Sequence, residues 1–196
     1  QGVVVNEITG QMYWVDFETD MILRANPGGS HYQQLVTEGL DLPTSLALDP
    51  WQRKMYWADV GYGRIGRANL DGSEAAIIVG ERDGRSGSIA LDPEQGKMYW
   101  TVGEYSPGIM RANLDGSDAE TLVSGLPGPF GITLDRTAGK MYWASWGLQR
   151  IWRANLDGSS IETVISSGIQ SPSGLALSLP PADIRHNYIP LSQFSN

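Results

Sequence analysis

The sequence contains no cysteine and very little histidine. None of its 196 residues is a cysteine, and its two histidines are His31 and His186. The lack of cysteine excludes disulfides, thiolate zinc sites and cysteine nucleophiles. We expect His31 in an outer strand and His186 in a divergent tail, and neither stands beside the serine and aspartate of a catalytic triad. The residue inventory therefore gives little support to an enzyme.

Basic side chains and long apolar runs are also scarce. The formal charge of −8 argues against a nucleic-acid partner, because proteins that bind the phosphate backbone present a basic face. No apolar run approaches the roughly 18 residues of a membrane-spanning helix, so no membrane insertion is expected. No Asn-x-Ser/Thr acceptor for N-glycosylation occurs. A signal-peptide pattern is missing at the N-terminus, which fits either a cytosolic protein or a processed mature one. Gln1, which can cyclise, favours the processed protein, and we expect a secreted or extracellular location.

What the sequence has in abundance is a repeat. Met-Tyr-Trp begins at positions 12, 55, 98 and 141, which are separated by 43 residues each time. Arg-Ala-Asn follows at 24, 67, 111 and 153, and Leu-Asp precedes three of the copies at 48, 91 and 134. The period divides the chain into repeats 1–43, 44–86, 87–129 and 130–172, with a tail at 173–196 that we assign to the same domain. A fixed period of this length is typical of propellers and solenoids.

Each repeat predicts four short strands. In the second repeat these are residues 45–49, 54–59, 64–69 and 75–79, with an Asp-Gly-Ser turn between the last two. Met55 and Trp57 alternate with Tyr56, so aromatic side chains lie on both faces of one strand and predict burial from both sides. Four strands in about 43 residues indicate a propeller blade. A solenoid of stacked hairpins is the alternative, and no helical periodicity is present.

The succession Leu-Ala-Leu-Asp-Pro, Met-Tyr-Trp-Ala-Asp and Ile-x-Arg-Ala-Asn-Leu-Asp-Gly-Ser resembles the YWTD repeat of β-propellers of the low-density-lipoprotein-receptor type. The resemblance covers residues 1 to about 178 and implies an all-β propeller whose loop face docks protein partners. The motif becomes Tyr-Trp-Val-Asp at Tyr13, Tyr-Trp-Ala-Asp at Tyr56, Tyr-Trp-Thr-Val at Tyr99 and Tyr-Trp-Ala-Ser at Tyr142. The last two blades thus lack an acidic residue that, in the family, makes a largely structural contact.

The family usually closes six blades, whereas this sequence supplies four complete ones. The tail starts as a fifth inner strand at 174–177 and then diverges. We favour a compact ring of four blades over a ring with a reduced fifth blade that uses Asn187-Tyr188-Ile189. An open arc that closes through a partner chain, as in a homodimer, is the third alternative, because open sheet edges invite pairing.

The loop between the second and third strands of each blade carries an aromatic residue, and we predict a ligand-binding site on this face. Phe17 and Trp146 share one repeat position, and Tyr62 and Tyr105 share another, two residues later. Charged residues and linkers into the inner strands accompany them. The predicted ligand-binding residues are Phe17, Glu18, Tyr62, Arg64, Glu104, Tyr105, Phe130, Trp146 and Arg150, and Asp83 and Arg85 lie in a linker on the same face. Trp51 and Trp152 are expected to cover blade edges instead.

No metal or other cofactor is predicted. Calcium needs six to eight converging oxygens, whereas the Asp-Gly pairs at 71, 115 and 157 each put one carboxylate in its own hairpin turn. Asn6, Asp49, Asp92 and Asp135 are expected to form a polar ring near the propeller axis. The resemblance implies that these positions are mainly structural.

These observations predict a non-enzymatic recognition module. Aromatic rings flanked by charged groups suit stacking on a carbohydrate, as in a lectin, or anchoring of an extracellular protein. Repeated blades could present similar sites several times and add avidity. The alternatives are a propeller lyase or hydrolase that acts in the axial funnel, using a carboxylate pair such as Glu18 and Glu104, and a structural assembly unit.

Overall fold

The computed structural model describes residues 2–80, 85–103 and 106–177, and this part of the chain is all-β. Each repeat forms one four-stranded antiparallel sheet whose strands follow sequence order, and we call these sheets blades 1 to 4. Blade 1 contains β1 (Val3–Val5), β2 (Met12–Asp16), β3 (Met21–Ala25) and β4 (Gln33–Val36). Blade 2 contains β5 (Pro43–Asp49), β6 (Lys54–Asp59), β7 (Arg64–Asn69) and β8 (Ala76–Val79). Blade 3 contains β9 (Ser86–Asp92), β10 (Lys97–Val102), β11 (Gly108–Asn113) and β12 (Glu120–Ser124). Blade 4 contains β13 (Pro129–Asp135), β14 (Lys140–Ser145), β15 (Arg150–Asn155) and β16 (Glu162–Ile165).

The predicted all-β propeller with four four-stranded blades is therefore confirmed. The inner strands β5, β9 and β13 begin one residue before the predicted repeat starts at 44, 87 and 130. No helix in the described ranges is long and apolar enough to cross a membrane.

The hydrophobic core lies between the blades and is divided into three clusters. Met and Trp of each Met-Tyr-Trp motif point to one face of the blade, which we call its leading face. The Tyr points to the opposite, trailing face. Each cluster joins the trailing face of one blade to the leading face of the next: Tyr13 with Met55 and Trp57, Tyr56 with Met98 and Trp100, and Tyr99 with Met141 and Trp143. The predicted burial of this strand from both sides is confirmed, and it makes the motif a scaffold element.

A repeated arginine contact also joins consecutive blades. In blades 1, 2 and 3, the arginine of the Arg-Ala-Asn motif crosses to the next blade and donates to the carbonyl of the leucine in that blade's Asn-Leu-Asp-Gly turn. The bonds run from Arg24 to Leu70 at 3.0 Å, from Arg67 to Leu114 at 3.2 Å and from Arg111 to Leu156 at 3.2 Å. A hydrogen bond from a charged donor contributes about 1.5–3 kcal/mol, so this contact fixes the blades relative to one another.

The glycine of the same turn packs against the preceding blade. The backbone φ angles are 88° at Gly72, 91° at Gly116 and 85° at Gly158, in the left-handed region that favours glycine. A Cβ atom at these positions would lie 2.3 Å from the Leu35 carbonyl oxygen, 2.0 Å from that of Ile78 and 2.8 Å from that of Leu122. Both the turn and the close approach between blades therefore require glycine.

The four blades form an open arc, so the expected compact ring of four blades is wrong. Consecutive blades pack together through the three clusters, whereas the two end faces remain exposed in the described ranges. Ile165 on the trailing face of blade 4 is 41% exposed, although Val79 at the equivalent position of blade 2 is 3% exposed. Val3, on the leading face of blade 1, is 64% exposed. The local repeat specifies the contact between neighbours, and four such neighbours do not curve far enough to meet.

The start of the tail follows blade 4 in the position of a further inner strand. A Cβ on Gly131 would lie 2.7 Å from the Ser173 carbonyl oxygen and 3.1 Å from the Gly174 Cα. Gly87 approaches the Phe130 carbonyl of the next blade in the same way, at 3.7 Å. Residues 173 and 174 thus lie beside the inner strand of blade 4, but residues 172–177 form no strand, so the predicted fifth inner strand at 174–177 is wrong. His186 and Asn187-Tyr188-Ile189 lie outside the described residues.

Candidate functional site

A cavity of about 480 Å³ opens at the loop face, the end of the arc that carries the loops after the second strand of each blade. Two sets of equivalent positions line it, and in each set successive members are 43 residues apart. The first set directly follows the second strands and consists of Phe17, Val60, Gly103 and Trp146. The second set lies at the start of the inner strands and of the tail, and consists of Thr44, Gly87, Phe130 and Ser173. The cavity is therefore built from all four blades.

The cavity is asymmetric because equivalent repeat positions carry side chains of very different size. Its large rings are Phe17 from blade 1 and Phe130 and Trp146 from blade 4, whereas blade 3 contributes Gly87 and Gly103. The three rings remain substantially exposed, and Trp146 is 62% exposed. Aromatic rings that are fixed but uncovered are the side chains most often used as binding anchors.

Side-chain bonds to the backbone hold the loop of Phe17. The Asp16 carboxylate accepts hydrogen bonds from the backbone N–H of Glu18 at 3.0 Å and of Thr19 at 3.2 Å. This arrangement is the turn that a short acidic side chain favours. It orders the loop before any ligand binds.

The loop of Trp146 is held by Ser145, which stands where the repeat motif has an aspartate. The Ser145 hydroxyl donates to the Pro127 carbonyl and accepts from the backbone N–H of Leu148 at 3.3 Å. The Trp146 N–H donates to the Gly128 carbonyl at 3.0 Å. In blade 4 the serine hydroxyl thus makes the loop contact in place of the missing acidic residue. Val102, at the same position of blade 3, is buried.

Thr101 holds the backbone at Phe130. Its hydroxyl donates to the Phe130 carbonyl at 2.6 Å and accepts from the Ser88 N–H at 3.0 Å. A hydroxyl on blade 3 therefore fixes the inner strand of blade 4 at the rim of the cavity.

Tyr62 and Arg64 form a separate cluster outside the cavity lining. The Arg64 guanidinium lies 3.7 Å from the centroid of the Tyr62 ring, within the range of a cation–π contact. It also donates to Asp59 Oδ2 at 3.1 Å and to the Gly39 carbonyl at 3.1 Å. Burial raises the pKa of Asp59, and the hydrogen bond and charge of Arg64 partly offset that rise. Arg64 thus forms an ion pair with a buried carboxylate, and its main role here is structural.

The remaining residues predicted on the loop face fall into three groups: those that do not line the cavity, one that does, and those outside the described ranges. Glu18 is exposed in the loop after β2 and does not line the cavity. The Arg150 guanidinium lies 6.0 Å from the centroid of the Trp152 ring. Arg85 does line the cavity. Glu104, Tyr105 and Asp83 lie outside the described residues.

Sequence reasoning missed the small residues of the cavity. Val60, Gly103 and Pro129 line it beside the rings, but a search for aromatic and charged side chains passes over them. The signal that could have found them is the period itself, because Val60 and Gly103 are the repeat equivalents of Phe17 and Trp146.

Trp51 and Trp152 differ from their predicted role at blade edges. Trp51 lies in the turn between β5 and β6 and is 83% exposed, so it covers no edge. It borders a second cavity of about 620 Å³ at the opposite end of the arc from the loop face. Trp152 lies in β15 opposite Trp143 and packs against the cluster between blades 3 and 4.

The polar positions that were expected to form an axial ring each cap a turn. One side-chain oxygen of each residue accepts a hydrogen bond from a backbone N–H of the turn that follows its own strand. These bonds join Asn6 to Ile8 at 3.0 Å, Asp49 to Gln52 at 3.1 Å, Asp92 to Gln95 at 3.4 Å and Asp135 to Ala138 at 2.9 Å. Within the described ranges, no group of three or more His, Cys, Asp or Glu side chains could hold a metal ion.

The aspartates of the Asp-Gly-Ser turns also accept a backbone N–H of their own turn. Asp71 accepts the Ser73 N–H at 3.0 Å, and the equivalent bonds in blades 3 and 4 are 2.9 Å each. Hydrogen bonds from these serines lower the pKa of Asp71, Asp115 and Asp157. The carboxylates are turn elements.

Blades built on a 43-residue period, with a cavity at the loop face, define a repeat β-propeller. The sequence matches the model of the low-density lipoprotein receptor repeat class B at residues 10–50, 53–93 and 139–177, which together are more than half of the chain. The chain therefore belongs to this family. None of the curated proteins matches the sequence.

Solved structures of other propellers are similar to this chain. A chain of a crystal structure of a nidogen/laminin complex is 26% identical with a TM-score of 0.82, and the match covers 88% of this chain and 66% of that one. A gluconolactonase of Xanthomonas campestris is 18% identical with a TM-score of 0.71, and the match covers 89% of this chain and 65% of that one. The second likeness shows the fold alone. This chain spans slightly less than two thirds of the length of either structure.

Proposed function

We propose that this propeller is a non-catalytic recognition module that binds an extracellular protein by taking one apolar side chain of the partner into the loop-face cavity. The observation that carries the proposal is the cavity of about 480 Å³ with uncovered rings of Phe17, Phe130 and Trp146. Its loops are ordered by hydrogen bonds of their own, so little conformational entropy is lost on binding. A buried apolar anchor in such a pocket is typical of interface hot spots.

The asymmetry of the cavity favours one anchor over several equal sites. Sugar subsites repeated around a propeller would need the same side chains in each blade, whereas the equivalent positions here are Phe17, Val60, Gly103 and Trp146. A lectin site also needs polar groups beside the rings. Glu18 and Arg150, which were predicted to supply them, do not line the cavity, and the polar side chains in its described lining are Thr44, Arg85 and Ser173. These observations favour a protein over a carbohydrate as the ligand.

Similarity to known proteins supports the same class of partner. One similar structure is a nidogen/laminin complex, in which a propeller chain is crystallised with a protein. From this similarity we propose an extracellular location and a protein ligand for the present chain.

The positions of the described acid and base side chains favour a non-catalytic role. His31 lies in the turn before β4, where its Nδ1 is 3.0 Å from Asn26 Nδ2 on an exposed surface, and not in the outer strand as predicted. It does not line the cavity, and the part of the lining that the structure describes holds no carboxylate. General acid–base chemistry needs such a group within hydrogen-bond reach of the substrate.

Binding assays with paired variants test the proposal. The chain is immobilised and exposed to a panel of purified extracellular proteins that includes laminin, and in parallel to a glycan array. Phe130→Ala combined with Trp146→Ala removes two rings of the cavity. Trp51→Ala is the control, because it removes another exposed tryptophan, at the opposite end of the arc. We expect the double variant to lose at least about 30-fold in affinity, the effect of a 2 kcal/mol hot spot.

The outcomes separate the candidate functions. Protein binding that the double variant loses and the control keeps supports the proposal. A glycan signal without a protein signal replaces it with a lectin function. Binding that survives in the double variant, or no binding in either assay, overturns it. Thermal unfolding of all three proteins checks that the variants are folded.

A further inference from the structure

Charge is distributed unevenly over the loop face. Three segments adjoin the cavity on the side of blades 1 and 2, and they contain six carboxylates and one arginine, a formal charge of −5. They are the loop after β2 at 16–21, the linker before β5 at 37–42 and the loop after β6 at 59–64. We call these three segments the acidic rim.

The corresponding segments on the side of blades 3 and 4 contain equal numbers of acidic and basic residues, so they carry no net charge. They are the linkers at 80–85 and 125–128 and the loops at 102–108 and 145–150. More than half of the chain's formal charge of −8 therefore lies on the acidic rim.

Hydrogen bonds join the segments of the acidic rim into one surface beside the cavity. Asp20 Oδ1 accepts the Leu42 N–H at 2.7 Å, which ties the loop after β2 to the linker. The Val60 N–H donates to the Leu42 carbonyl at 3.2 Å, which ties the loop after β6 to the same linker. Phe17 and Val60, which belong to these loops, line the cavity. The position of the acidic rim relative to the cavity is thus fixed.

Most of the negative charge of the acidic rim is not compensated within the described ranges. Arg64 is paired with Asp59 at 3.1 Å. The other five carboxylates form no ion pair with a described residue, and they belong to Asp16, Glu18, Asp20, Glu38 and Asp41. Glu18 and Glu38 are exposed, and neither carboxylate accepts a hydrogen bond in the described part of the chain. A partner that covers the loop face therefore meets an apolar cavity with a negative surface on one side.

We propose, building on the protein ligand proposed above for the cavity, that the partner carries a lysine or arginine beside its apolar anchor and places this cation over the acidic rim. Glu18 directly follows Phe17, and consecutive Cα atoms are about 3.8 Å apart, so a basic residue a few positions from the anchor reaches its carboxylate. The opposite side has no net charge. The charges thus fix the direction in which the partner crosses the cavity.

The acidic rim acts chiefly on the rate of association. Exposed ion pairs add little to affinity, whereas several charges of one sign steer an oppositely charged partner toward the surface that carries them. Salt screens this attraction, because the Debye length falls from about 10 Å at about 0.1 M salt to about 3 Å at about 1 M. The anchor in the cavity, by contrast, controls the dissociation rate.

Peptide probes test the proposal on the full chain. A phage-displayed library of random short peptides is selected against the immobilised protein, and the peptides that bind are synthesised. We expect them to combine an aromatic or aliphatic residue with a lysine or arginine a few positions away. Replacing that basic residue by Glu should slow association by at least about tenfold at about 0.1 M salt, because the attraction becomes a repulsion. Replacing it by Gln should have an intermediate effect.

A pair of charge-neutralising variants locates the contact. Glu18→Gln combined with Glu38→Gln should slow association of the basic peptides about fivefold at about 0.1 M salt and less than about twofold at about 1 M. Glu7→Gln combined with Glu94→Gln is the matched control. It changes the net charge equally and removes two exposed carboxylates from turns at the opposite end of the blades. We expect the control pair to associate as the wild type does.

Three results overturn the proposal. The first is a selection that yields no binding peptides, or peptides without an excess of basic residues. The second is a Glu18→Gln and Glu38→Gln variant that binds the basic peptides as fast as the wild type. The third is an equal loss in the control pair, because the effect would then come from net charge and not from the acidic rim.

The variant with Phe130→Ala and Trp146→Ala separates this proposal from the function proposed for the cavity. If its loss of affinity is the same for the lysine, Gln and Glu forms of a peptide, and these forms bind the wild type equally, the cavity binds the anchor and the acidic rim has no role. If the charge of the peptide matters and the two rings do not, the function proposed for the cavity fails, while the contact between the cation and the acidic rim stands.

Discussion

The cost of truncating one apolar side chain should depend on which blade carries it. Val79 and Ile165 occupy the same repeat position at the end of the outer strand, but Val79 is 3% exposed and Ile165 is 41% exposed. In an Ile165→Val background, the same Val→Ala change can be made at both positions. The two substitutions then remove identical atoms from identical places in the repeat, and only the neighbouring blade differs.

The expected magnitudes follow from burial. Val79→Ala removes two methyl groups from the cluster between blades 2 and 3, which costs roughly 1.6 kcal/mol at about 0.8 kcal/mol per buried group. The cavity left behind adds about 0.5–1 kcal/mol. At position 165 solvent already reaches the side chain and no closed cavity forms. We therefore expect about 2–2.5 kcal/mol at position 79 and about 0.5 kcal/mol at position 165.

Urea unfolding followed by tryptophan fluorescence measures both costs. At an m-value of about 2 kcal/mol/M, the change at position 79 lowers the midpoint by roughly 1 M and the change at position 165 by about 0.25 M. The measurement is made at the lowest protein concentration that gives a signal, so that association does not contribute. Equal costs at both positions under these conditions would refute the reasoning, because the trailing face of blade 4 would then be covered within a single chain.

Three further predictions concern single sites. Gly66→Ala should destabilise the protein by about 1–3 kcal/mol, since its Cβ would lie 2.2 Å from the buried tryptophan ring of β6, whereas Gly80→Ala, with open space around its Cβ, should be nearly neutral in thermal unfolding. In an NMR titration Asp59 should ionise above the usual aspartate pKa because it is buried; its contribution to stability is then present at low pH and lost as the pH rises through the raised value. Asp71 should titrate below the usual range and lose its contribution as the pH falls, and Ser73→Ala should move the pKa back up, since the serine is the main cause of the shift.

The period of 43 residues was enough to predict the blades. Met55 and Trp57 alternate with Tyr56 along one strand, and this short-range pattern decides which side chains meet the blade before and which meet the blade after. The same few contacts recur at each interface, so an error at one position would have been corrected by the other repeats. Fold was predictable because each interface depends only on its nearest neighbours.

The composition of the site was only partly predictable, because a two-residue offset within a loop decides where a ring points. Phe17 and Trp146 directly follow their strands and line the cavity. Tyr62 comes two positions later and stacks on Arg64, which the buried Asp59 holds in place. Residue type alone predicted a ligand-binding aromatic ring in each loop. That Tyr62 stacks on Arg64 instead follows from the ion pair between Arg64 and the buried Asp59, which only the structure shows.

The closure of the propeller was not predictable from the repeat, and the physical reason also explains the exposed end faces. A blade is stable only when both of its faces are covered, and the repeat encodes both faces in every copy, including the first and the last. A terminal blade whose outer face stays in solvent typically carries polar residues there, whereas Val3 and Ile165 are apolar and exposed. An apolar residue at a repeat position predicts that a partner surface exists and does not say which chain supplies it.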